Sequence, residues 1–393
     1  MHLIASFVLL VGLTLSGVHA ELIAVIQIFR HGQRTPINFY PNDPYKDPSY
    51  WGGLAGGQLT NEGKRMHMKL GQYTRSRYAN FIPQKYDPSF FYAQTTDVDR
   101  THMSAQSNVY GLFPVTTNDQ RWENKINWQP IPIHPANNIV LSNFVYPPNC
   151  PAFTTEMQAV LASQEFTTYD SENAGLYAYL TKHSGMNITD VTTAFDIWDC
   201  VKTEDNVGFS LPAWTKSIYP EPLRTTIGKF FEVFTYTTNM KRIIIGPFLN
   251  EVVEYLESMA ANSSSSHKYK MYSAHESNMG AILNAFGAFN PSSPPAFAST
   301  VYIELHKENW KYTVKVFNKE LDNIRQVSVN GCDLNCPLDS FKENLSDFII
   351  DADTRDTECN SVEEKKLLAG SAAATIGKYS AEELEQKFAG FST

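Results

Sequence analysis

Glu21-Leu22-Ile23-Ala24-Val25-Ile26-Gln27-Ile28-Phe29 runs directly into Arg30-His31-Gly32-Gln33-Arg34-Thr35-Pro36. The first nine residues are rich in apolar and β-branched side chains and predict a buried strand. The next seven set a histidine between two arginines at the end of that strand. Three such groups repel one another unless an anion lies among them, and the anion that fits is a phosphate.

Two later stretches repeat the pattern. Phe90-Phe91-Tyr92-Ala93 reads as a strand, Thr95-Thr96-Asp97-Val98-Asp99-Arg100 as a polar turn, and Thr101 to Leu112 as a helix. Tyr269-Lys270-Met271-Tyr272-Ser273 reads as a strand and Ala274-His275-Glu276 as a turn, with a helix from Ser277 to Phe286 capped by Ser277. In open α/β sheets, ligands bind beyond the carboxyl ends of strands, where helix N-termini offer free N–H groups. All three charged turns occupy that kind of position.

The remaining chain fits an α/β protein with an insertion. Residues 37–58, rich in Pro, Tyr and Gly, form a long loop, either the rim of a pocket or an ordered connector. Thr60 reads as an N-cap, with Met66, Leu70, Tyr73, Arg77 and Phe81 at helical spacing after it. Residues 133–235 are strand-poor and predict an inserted helical domain, leaving 21–132 and 236–393 to build the α/β domain. Gly246-Pro247 reads as the start of an amphipathic helix. Thr300–Leu305 and Tyr312–Phe317 alternate with period two and predict an antiparallel hairpin.

Residues 1–20 carry an apolar run, Phe7 to Leu15, and end Val18-His19-Ala20; they read as a secretory signal rather than a buried first element. No later stretch reads as a transmembrane helix, so a secreted, extracellular protein without a membrane anchor is expected. The 393 residues carry a net charge of −9, which argues against nucleic acid as a partner and makes any positive site local. Sequons at Asn187, Asn262 and Asn344 fit a secreted surface. Five cysteines give two bridges and one leftover thiol. Cys332 and Cys336 can close a small loop, the rival metal reading lacking two further ligands nearby. Spacing alone does not choose among Cys150, Cys200 and Cys359.

Arg30, Arg34 and Arg100 offer planar, permanently charged forks that match phosphate oxygens. His31 and His275 sit in separate turns of one type, and a neutral imidazole can attack phosphorus to give a phosphohistidine. The leaving oxygen then needs a proton, for which Glu276 is the obvious acid, with Asp97 and Asp99 as alternatives. A zinc site fits poorly, because three arginines around one cavity repel a divalent cation and no His-x-x-x-His pair is present. No metal or cofactor is expected. His67 and His102 read as structural.

Arg30-His31-Gly32-Gln33-Arg34-Thr35-Pro36 resembles the R-H-G-x-R-x-P signature of the histidine acid phosphatases, and Ala274-His275-Glu276 resembles that family's second His-Asp motif. The turn Thr96 to Thr101 is similar to the one supplying a further phosphate-binding arginine. Trp128–Pro132, Leu211–Trp214 and Gly331–Leu338 are similar to segments of prostatic and lysosomal acid phosphatases. The venom branch of insects shares the His-Glu-Ser-Asn form of the second motif.

The resemblance implies a mixed-sheet α/β domain with a smaller inserted helical domain, and a phosphomonoester as substrate. By position His31 is the implied nucleophile, Glu276 the proton donor, and Arg30, Arg34, Arg100 and His275 the phosphate ligands. It implies bridges Cys150–Cys359 and Cys332–Cys336. Cys200 matches a half-cystine whose partner would fall near Ser299, so it is expected unpaired or linked to another chain. The family often dimerises, which raises a homodimer as an expectation. Glu276 stands where most of the family has Asp, and one more methylene moves the carboxyl by about 1.5 Å. The expectation is an acid phosphatase; the alternative is a secreted pseudophosphatase that binds phosphorylated ligands with little or no turnover.

Overall fold

A computed structural model of the chain describes residues 20–136, 150–261, 267–290 and 294–369. The first strand, β1 (Glu21–Arg30), is buried from Ala24 to Phe29, at most 1% exposed. Each Val, Ile or Phe so buried contributes roughly 1.5–3 kcal/mol, which places this strand at the centre. Its one polar residue there, Gln27, is satisfied: Tyr269 Oη donates to its Oε1 at 2.8 Å.

After β1 come helix α1 (Asn61–Arg77), strand β2 (Phe91–Thr95), helix α2 (Asp99–Leu112) and the short β3 (His134–Pro135). Six helices then follow in succession: α3 (Pro151–Leu161), α4 (Gln164–Glu172), α5 (Ala174–Ser184), α6 (Val191–Val207), α7 (Leu223–Val233) and α8 (Thr238–Ala260). Strand β4 (Tyr269–Ala274) and helix α9 (Glu276–Ala285) precede β5 (Thr300–Glu308), β6 (Lys311–Glu320), β7 (Asn323–Val327) and β8 (Cys336–Pro337). Helices α10 (Leu338–Leu345) and α11 (Ala352–Ala369) close the described chain.

The sheet order is β3-β2-β4-β1-β5-β6-β7, with β8 against β6. β3, β2, β4 and β1 run parallel; β5 turns antiparallel to β1, and β6 and β7 continue antiparallel. The fold is therefore α/β with a mixed sheet. Alternate residues of β1 face opposite layers: Ala24, Ile26 and Ile28 pack with Phe248, Val252 and Ile282 of α8 and α9, while Val25 and Phe29 pack with Leu70 and Val109 of α1 and α2. A third apolar cluster holds α3 to α7 together around Phe153, Phe195, Trp198 and Phe230, and extends to Met240 and Ile243 of α8 and to Cys359 of α11.

Three local readings change. Helix α8 begins at Thr237, whose hydroxyl caps Met240 N at 3.0 Å, so Gly246-Pro247 lies inside the helix rather than at its start. A Cβ at Gly246 would lie 2.3 Å from the Phe348 carbonyl oxygen, so the glycine serves the approach of that chain segment. Helix α9 is capped by His275 rather than Ser277, with Asn278 Oδ1 accepting from His275 N at 3.0 Å. The predicted hairpin is longer than its alternation, because Asn309 and Trp310 both take positive φ and make a two-residue turn between β5 and β6.

Cys150 is bridged to Cys359 and Cys332 to Cys336, while Cys200 is a buried free thiol that donates to Asn38 O at 3.0 Å. Asn187 is exposed, whereas Asn344 is half-buried in α10 with Nδ2 3.3 Å from Cys332 Sγ, the nitrogen a glycan would need. Asn262 and residues 1–19 lie outside the described residues. Among the described residues, no helix is long and apolar enough to cross a membrane.

Candidate active site

The carboxyl ends of β2, β4 and β1 lie side by side, and backbone bonds hold the turns that leave them in register. His31 N donates to Ala274 O at 2.9 Å, and Thr96 N donates to Ser273 O at 3.1 Å. The segment after His31 packs hard against α1: a Cβ on Gly32 would meet the Gly63 carbonyl oxygen at 2.4 Å. Thr60, the cap of α1, donates from its hydroxyl to Gln33 Oε1 at 2.8 Å. Gln33 and Gly32 thus fix the turn that carries Arg30, His31 and Arg34.

His31 lies among arginines but is neutral. Burial, then Arg100, Arg30 and Arg34, hold its pKa well below the usual imidazole value. A neutral ring bears one proton, and Nδ1 lies 2.8 Å from the Gly32 carbonyl oxygen, an acceptor only. Nδ1 is therefore the donor and Nε2 carries the lone pair. His275 stands with its ring centroid 5.5 Å away and is likewise neutral, through burial first and Arg100 second. Its Nε2 meets Thr96 Oγ1 at 2.7 Å, which fixes the ring.

The arginines are held differently. Arg34 makes a bidentate pair with Asp199, 2.8 Å on each arm, the carboxylate coming from α6. Arg30 lies over the Phe297 ring at 4.2 Å, donates to Pro295 O at 2.5 Å and meets Glu276 Oε2 at 2.5 Å. Arg100, in the first turn of α2, is buried, and burial followed by Arg34 pushes its pKa down to about 9. Three guanidinium groups thus face two buried carboxyls, and protonation of Glu276 would leave one. That imbalance suits an anion.

Glu276 is 9% exposed, and burial pushes its pKa up to about 7 despite the opposing pull of Arg30. The two alternative acids stand elsewhere. Asp97 is exposed and paired with His102 at 3.0 Å, and the exposed Asp99 accepts from Gln58 Nε2 at 3.1 Å. His67 is buried on α1, with Nε2 3.1 Å from Arg30 O, a structural contact.

One pocket brings together His31, Arg34, Arg100, His275 and Glu276, and is walled by Phe195, Phe230 and Phe231 from α6 and α7. Arg30 borders the adjoining pocket beside Glu276. Of the loop 37–58, Ile37 reaches the first pocket, while Tyr45, Tyr50 and Trp51 pack on Phe209 away from it. Asp199 and the three phenylalanines were not legible as site residues. They lie in helices whose pattern reads as ordinary core, and tertiary packing alone brings them here.

The model of the histidine phosphatase superfamily (branch 2) matches residues 21–318. The chain belongs to this family. Among histidine phosphatases it is 33% identical over 357 residues to the prostatic acid phosphatase of Homo sapiens, covering 87% of this chain and 89% of that one. It is 32% identical over 350 residues to venom acid phosphatase Acph-1 of Apis mellifera, covering 85% and 87%. The lysosomal acid phosphatase of Xenopus laevis is 31% identical over 350 residues, covering 87% and 79%. Among solved structures, the phytase of Hafnia alvei in its apo form superposes with a TM-score of 0.65 at 16% identity, covering 85% of this histidine phosphatase and 98% of that chain. At that identity the likeness speaks for the fold.

Proposed function

We propose that this histidine phosphatase is a secreted acid phosphatase that hydrolyses phosphate monoesters through a phosphohistidine on His31. The observation that carries this reading is the neutral His31 ring, its Nδ1–H anchored on Gly32 O and its Nε2 lone pair available, in a pocket shared with Arg34, Arg100, His275 and Glu276.

In the first step His31 Nε2 attacks phosphorus, the bond from phosphorus to the ester oxygen breaks, and protonated Glu276 gives its proton to that oxygen. The imidazole of the phosphohistidine keeps its Nδ1–H on Gly32 O, so the ring is oriented throughout. Arg34 and Arg100, with Arg30 beside Glu276, stabilise the negative charge on the equatorial oxygens, and His275 completes the cradle. In the second step ionised Glu276 takes a proton from water, the water oxygen attacks phosphorus, and the P–N bond breaks to release phosphate. Neutral His31 and protonated Glu276 are restored. Every step balances within the chain's own residues, the ester and water.

The helical run α3 to α7 supports reading residues 133–235 as a domain inserted into the α/β domain, since it supplies Asp199 and the aromatic wall. Secretion is supported by the residue 1–20 leader pattern and by relatives named as venom, prostatic and lysosomal enzymes.

The test is hydrolysis of p-nitrophenyl phosphate at mildly acid pH in EDTA. Turnover is expected, with loss of at least about a thousandfold in His31→Ala. Binding of vanadate with no turnover would replace this reading by that of a phosphate-binding pseudophosphatase.

A further inference from the structure

Glu276 has two pockets beside it. One is the phosphate pocket; the other, of about 250 Å³, is bordered by Arg30 and Glu276 at one end and by α6 and α7 at the other. A general acid must lie within hydrogen-bond reach of the leaving oxygen, so whatever that oxygen is attached to continues past the Glu276 carboxyl. The second pocket lies there.

Its lining is unlike that of a neutral sugar or alcohol site. Lys202 on α6 is half-buried and forms no hydrogen bond or ion pair within the described residues, and burial lowers its pKa despite the pull of Asp205. Beside it Thr203 is 1% exposed and its hydroxyl has no hydrogen-bond partner among the described residues. Arg224 at the start of α7 adds a third cation, itself paired with Glu221 at 2.6 Å. The two carboxyls that line this space are committed elsewhere, Asp199 to Arg34 and Glu276 to Arg30, and Asp205, outside the lining, accepts from Tyr219 Oη at 2.6 Å. An ammonium held half out of water without a counter-ion, next to an unsatisfied buried hydroxyl, is a costly pair to keep. Both residues line the same pocket, where an oxyanion would supply the counter-charge that Lys202 lacks.

We propose that this second pocket receives the leaving group and that Lys202 and Thr203 bind an anionic substituent on it, so that the enzyme favours monoesters whose alcohol carries a carboxylate or a second phosphate. This rests on the phosphatase reading above. Lys202 offers the charge and Thr203 a hydroxyl donor, while Arg30 remains at the phosphoryl end. A volume of about 250 Å³ suits a small, compact alcohol better than a polymer.

The experiment compares kcat/KM for three substrates: glycerol 3-phosphate, whose leaving group is neutral, 3-phosphoglycerate and glycerol 1,3-bisphosphate. The readout is the ratio of each anionic substrate to the neutral one in wild type, Lys202→Met, Lys202→Arg and Thr203→Val. The ratio is expected to fall about fivefold in Lys202→Met, to return in Lys202→Arg, and to fall in wild type as ionic strength rises. A fall confined to 3-phosphoglycerate assigns the site to carboxylates, and one confined to the bisphosphate assigns it to phosphates. Ratios that do not move in Lys202→Met, with all three substrates still turned over, overturn the proposal and leave the phosphatase reading standing. No turnover of any substrate by wild type defeats the phosphatase reading itself. The salt dependence needs no variant, so the proposal stays testable where a substituted chain misfolds.

Discussion

In the proposed mechanism Glu276 is the residue on which the chemistry turns. Its pKa of about 7 is raised above the ordinary carboxyl value by burial, so the acid form dominates below that pH. The sign follows: the proton needed for the first step is present at acid pH and is lost as pH rises through about 7, so kcat/KM falls on the alkaline side. Glu276→Gln removes that titration and the proton. For an alkyl phosphate, whose leaving group needs protonation, it is expected to lower kcat/KM by about 10²-fold or more; for p-nitrophenyl phosphate, whose phenolate leaves unaided, by much less. A pH–rate series on both substrates checks this, and equal losses would remove Glu276 from the donor role. The charged turns were legible in sequence because each is a few contiguous residues at a strand end. What sequence did not provide was the choice of acid among Glu276, Asp97 and Asp99. That choice depends on burial, and only Glu276 is buried in the pocket.

At the scale of elements, α6 is joined to the turn that leaves β1 by the ion pair of Asp199 with Arg34. Asp199 grips Arg34 with both oxygens, and also accepts from Ile37 N at 3.2 Å. Asp199→Asn therefore leaves a buried guanidinium with a neutral partner. It is expected to cost about 3 kcal/mol of stability by urea unfolding, and to weaken inhibition by inorganic phosphate as Arg34 loses its fixed plane. Unchanged phosphate inhibition would mean that Arg34 is positioned by Thr35 and the turn alone. Strands β1, β2, β4, β5 and β6 and helices α1, α2 and α9 were readable from residue type and periodicity, since β1 carries a buried apolar run and Thr60 caps α1 as a side chain of its type should, whereas residues 133–235 were legible only as a strand-poor helical stretch. Pro247 misled because proline usually marks a helix start. Here the helix nucleates earlier at Thr237, and the close approach of the Phe348 carbonyl explains the glycine beside the proline.

At the scale of the molecule, the Cys150–Cys359 bridge joins α11 to the start of α3 across 209 residues of chain. Closing so long a loop restricts the unfolded chain far more than the folded one. Replacing both cysteines by serine is expected to lower stability by about 4–5 kcal/mol in urea, with kcat/KM per folded molecule little changed because neither residue lines the pocket. The pairing was implied by family likeness and not by spacing. Three cysteines scattered over some two hundred residues carry no local signal of which two meet. The same holds for the aromatic wall: Phe195, Phe230 and Phe231 read as ordinary buried helix residues and reach the pocket only because α6 and α7 fold over the sheet edge.

The most direct test is to quench wild-type enzyme within a single turnover of a radiolabelled phosphate monoester and map the label. A phosphohistidine intermediate predicts transient, acid-labile and alkali-stable label on the peptide containing His31, absent in His31→Ala. Turnover without protein-bound label at any quench time, together with activity surviving in His31→Ala, would contradict the account and point to direct attack by water.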